Sequence, residues 1–393
     1  MSAIHKFRIA YAGGASGGHI YPLAAVTHTL RAFLQERGVI LDAKYFGSPG
    51  TFRVYLDREG IKIAKVMSSK WRTYASIKNL FEPFKFMIGF VQAMFKLFFF
   101  MPDALFSKGG PGALAVVLAA RWYRIPVVVH ESDAVPGRTN LKSAKHAAVV
   151  DLSFEEAAKY FPPNVKIRVV GSPVRKHLVL EESPATSRLS FGLPDGLPVL
   201  LFLGGSQGAQ ALNDFVLESS EILLASFAII HQVGPNNFKD YKVEYDFMSK
   251  NHDRVLKQRY YITPYLNDRD MAAALNASDI VVSRAGSSIF ELAAAGKPAI
   301  LVPLPDSAND HQRENAYSYS NAGAAIVIEQ DNLKEHLFIQ QVEKLMRDEN
   351  GRQRMAMAAG SYYKADAAER IVEDILSSSD LAKYFVNTEV LTG

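Results

Sequence analysis

Two glycine-rich turns, each set directly between an apolar strand and a helical stretch, constrain this chain more than any other feature. FRIAYA (Phe7–Ala12) runs into Gly13-Gly14-Ala15-Ser16-Gly17-Gly18-His19, and a helical pattern follows from about Ile20 to Gln35. VLLFL (Val199–Leu203) runs into Gly204-Gly205-Ser206-Gln207-Gly208-Ala209 and a second helical pattern. Strand, glycine turn and helix in that order open a nucleotide-binding α/β unit. Two openings imply two such units, and 393 residues suit two domains of ordinary size. Further apolar strand candidates recur behind helical stretches at Ala104–Ser107, Pro126–His130, Ile167–Val170, Ala228–Val233, Asp279–Ser283 and Ala299–Pro303. Strands alternating with helices imply parallel sheets, here two of them. Gly171-Ser172-Pro173 is the hinge candidate, because Pro173 discourages both helix and sheet continuation. The expected division is 1–171, 172–365, and a terminal helical segment 366–393 that packs back on the first domain.

Composition narrows the chemistry. The chain has no cysteine, which removes disulfides, thiolate nucleophiles and Cys-ligated metal sites and fits a reducing compartment. The first residues, MSAIHKFRIAYAGG, lack the basic-then-apolar order of a secretory signal, so the cytoplasm is the expected compartment. A net charge of +4 is too small to argue for nucleic acid. Its placement matters more: Lys70, Arg72, Lys78, Lys85 and Lys96 against Glu82 put the whole excess in one aromatic-rich stretch.

The glycine loops can hold an anion. Clustered glycines let backbone N–H groups approach it closely, and the helix behind presents its positive end. A tight strand–helix turn would account for either loop alone; two in matching contexts favour a ligand. His19 stands where loop becomes helix, and its near-neutral pKa suits it to take a proton from a sugar hydroxyl. PVVVHESD (Pro126–Asp133) is a buried strand whose carboxyl end carries His130, Glu131, Ser132 and Asp133, the edge where ligands gather in open α/β sheets. Asp268-Arg269-Asp270 imitates a metal-binding D-x-D, but its place in a loop before a helix at Met271–Leu275 favours capping and solvation. No metal and no cofactor are expected. In the block from Asp279 to Asp306 a strand ends at Ser283, Gly286 turns the chain, and a helix starts near Ser287 or Ser288. Its free N–H groups and serines would face a diphosphate, and Glu291 one turn later would accept both hydroxyls of a ribose.

At these residues the chain resembles the MurG family, the UDP-N-acetylglucosamine transferases that convert lipid I to lipid II in peptidoglycan synthesis. The likeness runs in order through GGASGGHIYP, SKGGPGALAVVLAARWYRIPVVVHESDAVPGRTN, VVGSPVR, GGSQGAQALN, SRAGSSIFELAAAGKPAILVPLP and DHQRENA. It implies the GT-B fold, two Rossmann-like α/β domains facing across a cleft with the nucleotide on the C-terminal one. It implies UDP-N-acetylglucosamine as donor, undecaprenyl-linked lipid I as acceptor, and peripheral attachment to the cytoplasmic face of the membrane. By the same resemblance Ser16, Gly17 and Gly18 face the sugar and diphosphate, with His19 as base. Arg175 and Ser206 match phosphate contacts, and Leu266 a main-chain contact near uracil. Ser287, Ser288 and Glu291 match the diphosphate–ribose helix, Gln312 and Asn315 the sugar-hydroxyl contacts, and Asn140 a polar acceptor-side position. Asp133 stands where many members have Asn. The competing readings are a UDP-sugar epimerase of similar architecture, a catalytically silent nucleotide-sugar-binding protein, and a lipid glycosyltransferase with a diacylglycerol acceptor.

One segment adds a surface. Between Phe84 and Phe100, the residues Phe84, Met87, Ile88, Val91, Met94, Phe95 and Phe98 form one apolar stripe at helical spacing. Phe86, Phe90, Ala93 and Leu97 form a second, leaving Lys85, Gly89, Gln92 and Lys96 as a thin polar seam. Such a helix needs apolar surroundings on more than one side. A doubly buried core helix and a membrane span both meet that need. So does an interfacial helix with one stripe on the sheet, the other in the inner leaflet, and the cations on anionic headgroups.

Overall fold

The computed structural model describes residues 6–70, 77–175, 178–180, 182–251, 253–305 and 307–379. The chain divides into two compact units, one of residues 1–173 with 365–393 and one of residues 174–364.

The first unit is built on a seven-stranded parallel sheet of β1 (Lys6–Ala12), β2 (Ile40–Phe46), β3 (Lys62–Ala64), β4 (Ala104–Ser107), β5 (Val127–Glu131), β6 (Val149–Leu152) and β7 (Ile167–Val169). The spatial order is β3-β2-β1-β4-β5-β6-β7, with Ala12 opposite Ser107 and His130 opposite Asp151. The order reverses between β1 and β4, and a reversal of this kind opens a crevice at the carboxyl ends of the strands. Both strands are buried almost throughout, as a sheet covered on both faces requires. Phe7, Ile9, Tyr11 and Phe106 pack with Ile20, Leu23, Val26 and Leu30 of the Gly17–Gln35 helix, and Ile371, Val372 and Ile375 of the Ala367–Ser378 helix complete that core.

The second unit repeats the plan with six parallel strands: β8 (Val199–Leu203), β9 (Ala228–Gln232), β10 (Tyr260–Thr263), β11 (Ile280–Ser283), β12 (Ala299–Leu301) and β13 (Ala325–Val327). Their order, β10-β9-β8-β11-β12-β13, again reverses beside the strand that precedes the glycine turn. The core gathers Leu200, Phe202, Ile229, Val282 and Ile300 from the strands with Leu212, Phe215, Val216, Phe338 and Val342 from the helices.

The Glu82–Phe100 helix is oriented by its smallest residue. A Cβ on Gly89 would lie 2.4 Å from Met67 O, so that face presses directly on main chain. Ala93, Leu97 and Phe100 continue the buried stripe. The polar seam lies on the protein side: Gln92 Oε1 accepts from Met67 N (2.9 Å), and the Lys96 ammonium donates to Lys65 O. Lys85 pairs with the buried Glu82 at 3.0 Å. What faces outward is Phe84, Met87, Ile88, Val91, Phe95, Phe98 and Phe99, the last 82% exposed. A helix buried on both faces is therefore excluded. Phe98 also meets Tyr123, beside the exposed Trp122 at the end of the Ala113–Trp122 helix.

The Ala367–Ser378 helix is fastened through a buried carboxyl pair. Asp374 lies 2.8 Å from Arg168 NH1 and faces the buried Asp151 of β6 closely enough for the two carboxyls to share a hydrogen bond. Burial first, then the Asp374 charge, push Asp151 far above the ordinary carboxylate range, to about 9. A folded-state value raised above the unfolded one stabilises most at low pH and is lost as pH climbs through the folded value. Stability from this group should therefore decline between pH 4 and pH 9. Asp151→Asn should flatten that decline and stabilise the chain at pH 8 by on the order of 1–3 kcal/mol, read from urea midpoints across pH.

Candidate active site

In the first unit three strand ends supply one polar cluster. After β1 the loop Gly13–Ser16 is held by the Tyr45 hydroxyl of β2, which donates to Gly13 O (2.6 Å). Ser16 precedes the helix that opens at Gly17, so His19 falls in its first turn, with Nδ1 2.7 Å from Ser16 Oγ. A Cβ on Gly14 would lie 2.9 Å from the His19 ring, and one on Gly110 would lie 2.9 Å from Nε2. Only glycine lets both loops close on the imidazole. Gly109 and Gly110 also have φ of +76° and +82°, a region that side chains disfavour. Burial, then Lys108, push His19 down to about 4 against the opposing pull of Asp133, so the ring is neutral at physiological pH.

Behind His19 lies a buried charge network. Lys108 follows β4, with its N–H on Ala12 O (2.9 Å) and its ammonium 2.5 Å from His130 Nδ1. His130 Nε2 donates to Gly171 O at 2.8 Å, which leaves Nδ1 as the acceptor for Lys108 and makes the imidazole neutral. Glu131 accepts from the N–H groups of Asp133 (3.0 Å) and Gly137 (2.9 Å) and from Asn140 Nδ2 (2.9 Å). Burial and the neighbouring Asp133 nevertheless raise Glu131 above the usual carboxylate range. Asn140, expected on the acceptor side, is 4% exposed and turned inward to hold Glu131 and His130 O. Lys108 was passed over in the sequence because SKGGPG reads as a plain loop; a cation immediately after an apolar strand was the available signal.

In the second unit the Ser288–Ala294 helix follows β11, with Ser287 at its N-cap position. The serines do not cap it. Ser287 makes no capping bond, and Ser288 Oγ turns back to Arg284 O (3.2 Å), so the first N–H groups have no side-chain cap. Glu291 receives Arg175 in a two-pronged pair, Nε to Oε1 at 2.7 Å and NH2 to Oε2 at 2.9 Å. Arg175 NH1 reaches Asp268 at 3.3 Å. Each Glu291 oxygen keeps acceptor capacity beyond the guanidinium, so the fork expected for a ribose is still available. Arg175, 5% exposed, is in this structure the residue that orients Glu291.

The remaining expected contacts divide. Gln312 and Asn315 lie on the His311–Asn321 helix. Gln312 accepts from Leu304 N (3.0 Å), and the fully buried Asn315 donates to Ala285 O (3.0 Å), so both brace the turns around Gly286 and Pro305. Ser206 is half-buried in the glycine turn after β8, and the Leu266 side chain is buried in the loop after β10. Asp268 and Asp270 belong to the helix Asp268–Ala277 and not to the loop before it; Asn267 caps that helix by accepting from Asp270 N (3.1 Å). Among the described residues no cluster of three or more His, Asp or Glu side chains could hold a metal ion.

Comparison with known proteins adds an independent line. Residues 9–150 match the glycosyltransferase family 28 N-terminal domain and residues 199–371 the family 28 C-terminal domain. A UDP-N-acetylglucosamine--N-acetylmuramyl-(pentapeptide) pyrophosphoryl-undecaprenol N-acetylglucosamine transferase of Halothermothrix orenii is 33% identical, covering 95% of this chain and 100% of that protein. A transferase of the same name from Treponema denticola is 32% identical over 97% and 98%. Among solved structures, MurG of Acinetobacter baumannii matches with a TM-score of 0.68 and 26% identity, covering 94% of this chain and 99% of that one. A UDP-GlcNAc 2-epimerase of Neisseria meningitidis matches with a TM-score of 0.63 but 15% identity, over 95% and 100%, a likeness of fold alone.

Proposed function

Because the chain belongs to the family of UDP-N-acetylglucosamine--N-acetylmuramyl-(pentapeptide) pyrophosphoryl-undecaprenol N-acetylglucosamine transferases, we propose that it transfers N-acetylglucosamine from UDP-N-acetylglucosamine to lipid I, giving lipid II. The observation that carries this reading is the identity of 32–33% with such transferases over nearly the whole chain. The epimerases share the fold at 15–16% identity, and nothing in the reaction of an epimerase needs an apolar outer face.

The chemistry follows from the two clusters. His19, uncharged, would offer the Nε2 lone pair to the 4-hydroxyl of the acceptor's muramic acid sugar in the tautomer whose Nδ1–H donates to Ser16 Oγ. The hydroxyl oxygen attacks the anomeric carbon from the face opposite the diphosphate, and UDP leaves with the bonding electrons, inverting that centre. The uncapped N–H groups at Ser287 and Ser288, with the glycine turn at Ser206, would bind the diphosphate, and a helix end contributes about 0.3–2 kcal/mol to holding an anion. Glu291 would take the ribose hydroxyls, and the Leu266 main chain would meet the uracil. Asn140, Gln312 and Asn315 support these groups from behind. No step calls for a metal ion or a cofactor.

The outward face of the Glu82–Phe100 helix is the proposed attachment to the membrane that carries the acceptor, at its cytoplasmic surface. A helix that turns its polar residues inward and its phenylalanines outward suits an acyl boundary. Exposed Lys70, Arg121 and Arg124 would meet anionic inner-leaflet lipids at about 1 kcal/mol each. Lys85 and Lys96 are engaged with Glu82 and Lys65 O, and Arg72 lies outside the described residues. The helix is long and apolar enough to cross a bilayer, but its buried stripe on Met67 favours lying along it.

Three outcomes are expected. Radiolabelled transfer from UDP-N-acetylglucosamine to a lipid I analogue should occur with the intact chain, and His19→Ala should slow it roughly 100- to 10,000-fold with UDP affinity nearly intact; epimerisation of the donor without acceptor would favour the rival. Calorimetry should find UDP binding to Glu291→Ala weaker by about 1.5–3 kcal/mol, with Glu291→Gln as a check that the unpaired Arg175 has not disturbed the unit. Binding to anionic liposomes should fall with added salt, and Phe81→Ser with Phe84→Ser should abolish it while thermal melting is kept. Equal binding of that double variant would count against the apolar face.

A further inference from the structure

Lys108 is a cation kept almost wholly from water, 2% exposed, at the reversal point of the first sheet. Burying an ammonium is costly unless an anion compensates it. Among the described residues its ammonium makes one hydrogen bond, to the neutral ring of His130, and no ion pair. His130 is itself immobilised by Gly171 O and has Ser153 Oγ 3.4 Å from Nε2, so it fixes where the ammonium sits. His19 stands in the first turn of the helix after β1, across the Gly13 loop from Lys108. A Cβ built on Gly13 would lie 3.6 Å from the Cβ atoms of both His19 and Lys108, so the two side chains flank one glycine.

The charged and titratable groups facing His19 are few. From β4 comes Lys108. From the end of β5 comes Asp133, with Glu131 holding its N–H and His130 holding Lys108. From its own turn comes only the Ser16 hydroxyl. Glu131 and Asp133 both act on Lys108 through space, so the ammonium is balanced by two carboxyl groups it does not touch. Remove the cation, and the charge left acting on the imidazole is that of Asp133.

We propose that Lys108 is a positioning residue for the transfer reaction: clamped by His130, its ammonium offsets Glu131 and Asp133, so that His19 meets the acceptor hydroxyl as an uncharged, proton-accepting ring. This rests on the reading of His19 as the base. The hydroxyl proton passes to His19 Nε2 as the new glycosidic C–O bond forms and the bond to UDP breaks. The imidazolium then releases the proton to solvent. Lys108 neither gives nor takes a proton in this step. It makes the protonated ring a short-lived state, because two cations then flank Gly13.

The test is an NMR titration of the His19 ring in the intact chain, assigned by its loss in His19→Ala, beside the pH profile of kcat/KM. In Lys108→Met the His19 titration should move up by about one pH unit or more, and the acid limb of kcat/KM should move with it. Lys108→Arg, which keeps the charge, should titrate like the wild type. Should Lys108→Met fail to fold, Lys108→Gln carries the same comparison. A Lys108→Met ring that titrates where the wild type does, or lower turnover with an unmoved acid limb, marks a packing role and overturns the proposal. The base reading fails separately: near-wild-type turnover in His19→Ala would remove it even if the ring had moved.

Discussion

The cost of keeping a cation out of water organises both clusters, and the two units meet it differently. In the second unit Arg175 is buried against a carboxylate that matches its planar fork at 2.7 and 2.9 Å, the geometry in which a guanidinium regains most of what it lost by leaving solvent. The result is a rigid pair, with Glu291 pointed by its partner. In the first unit Lys108 has no such partner. Its compensation is spread over a neutral imidazole and two carboxyls at a distance, so its field reaches the neighbouring ring instead of being quenched locally. One arrangement fixes a side chain's direction; the other fixes a side chain's charge.

Glycine makes the second arrangement possible. Three positions, Gly14, Gly109 and Gly110, have no side chain where a methyl group would collide with the His19 ring or Asn140. Gly109 is the sharpest case, since its Cβ would lie 2.3 Å from Asn140 Oδ1. The turns were readable as anion-binding loops from composition alone, yet in the structure they serve equally as spacers that let an imidazole and an ammonium share one edge of a sheet.

How far the sequence carried the reading follows the same physics. The order of elements was legible because glycine turns and all-apolar strands leave strong local marks, and β1, β4, β5, β8 and β11 fall within a residue or two of where they were expected. Of the strands passed over, β2, β3, β6, β10 and β13, several mix charged residues into the apolar run, as Asp42 and Lys44 do in β2, Lys62 in β3 and Asp151 in β6, which hides the pattern. The chemistry was legible in part. His19 and Glu291 stand where a turn passes into a helix, which fixes where each side chain lies. Asn140 and Asn315 carry residue types that suit sugar hydroxyls, and nothing in one sequence separates an amide that binds substrate from one that braces a turn. Burial separates them: the first is 4% and the second 0% exposed, and each spends its amide on the main chain or a carboxylate of its own unit.

The Glu82–Phe100 helix shows why periodicity alone leaves a surface undecided. Its two apolar stripes and thin polar seam are compatible with opposite orientations, and hydrophobicity would ordinarily place the widest apolar stripe inward. The orientation is decided by shape. Gly89 is the one residue on the helix that lets main chain approach Met67 O, and once that contact is made Ala93 and Leu97 must follow it inward at intervals of four. Gln92 and Lys96 then find their partners on Met67 N and Lys65 O, and the larger residues are left outside. A face of Phe84, Met87, Ile88, Val91, Phe95, Phe98 and Phe99 exceeds the scattered apolar exposure normal for a surface, and in water it would oppose solubility. The close packing that turns it outward is therefore what leaves this helix an apolar face for the proposed contact with the bilayer that carries the acceptor.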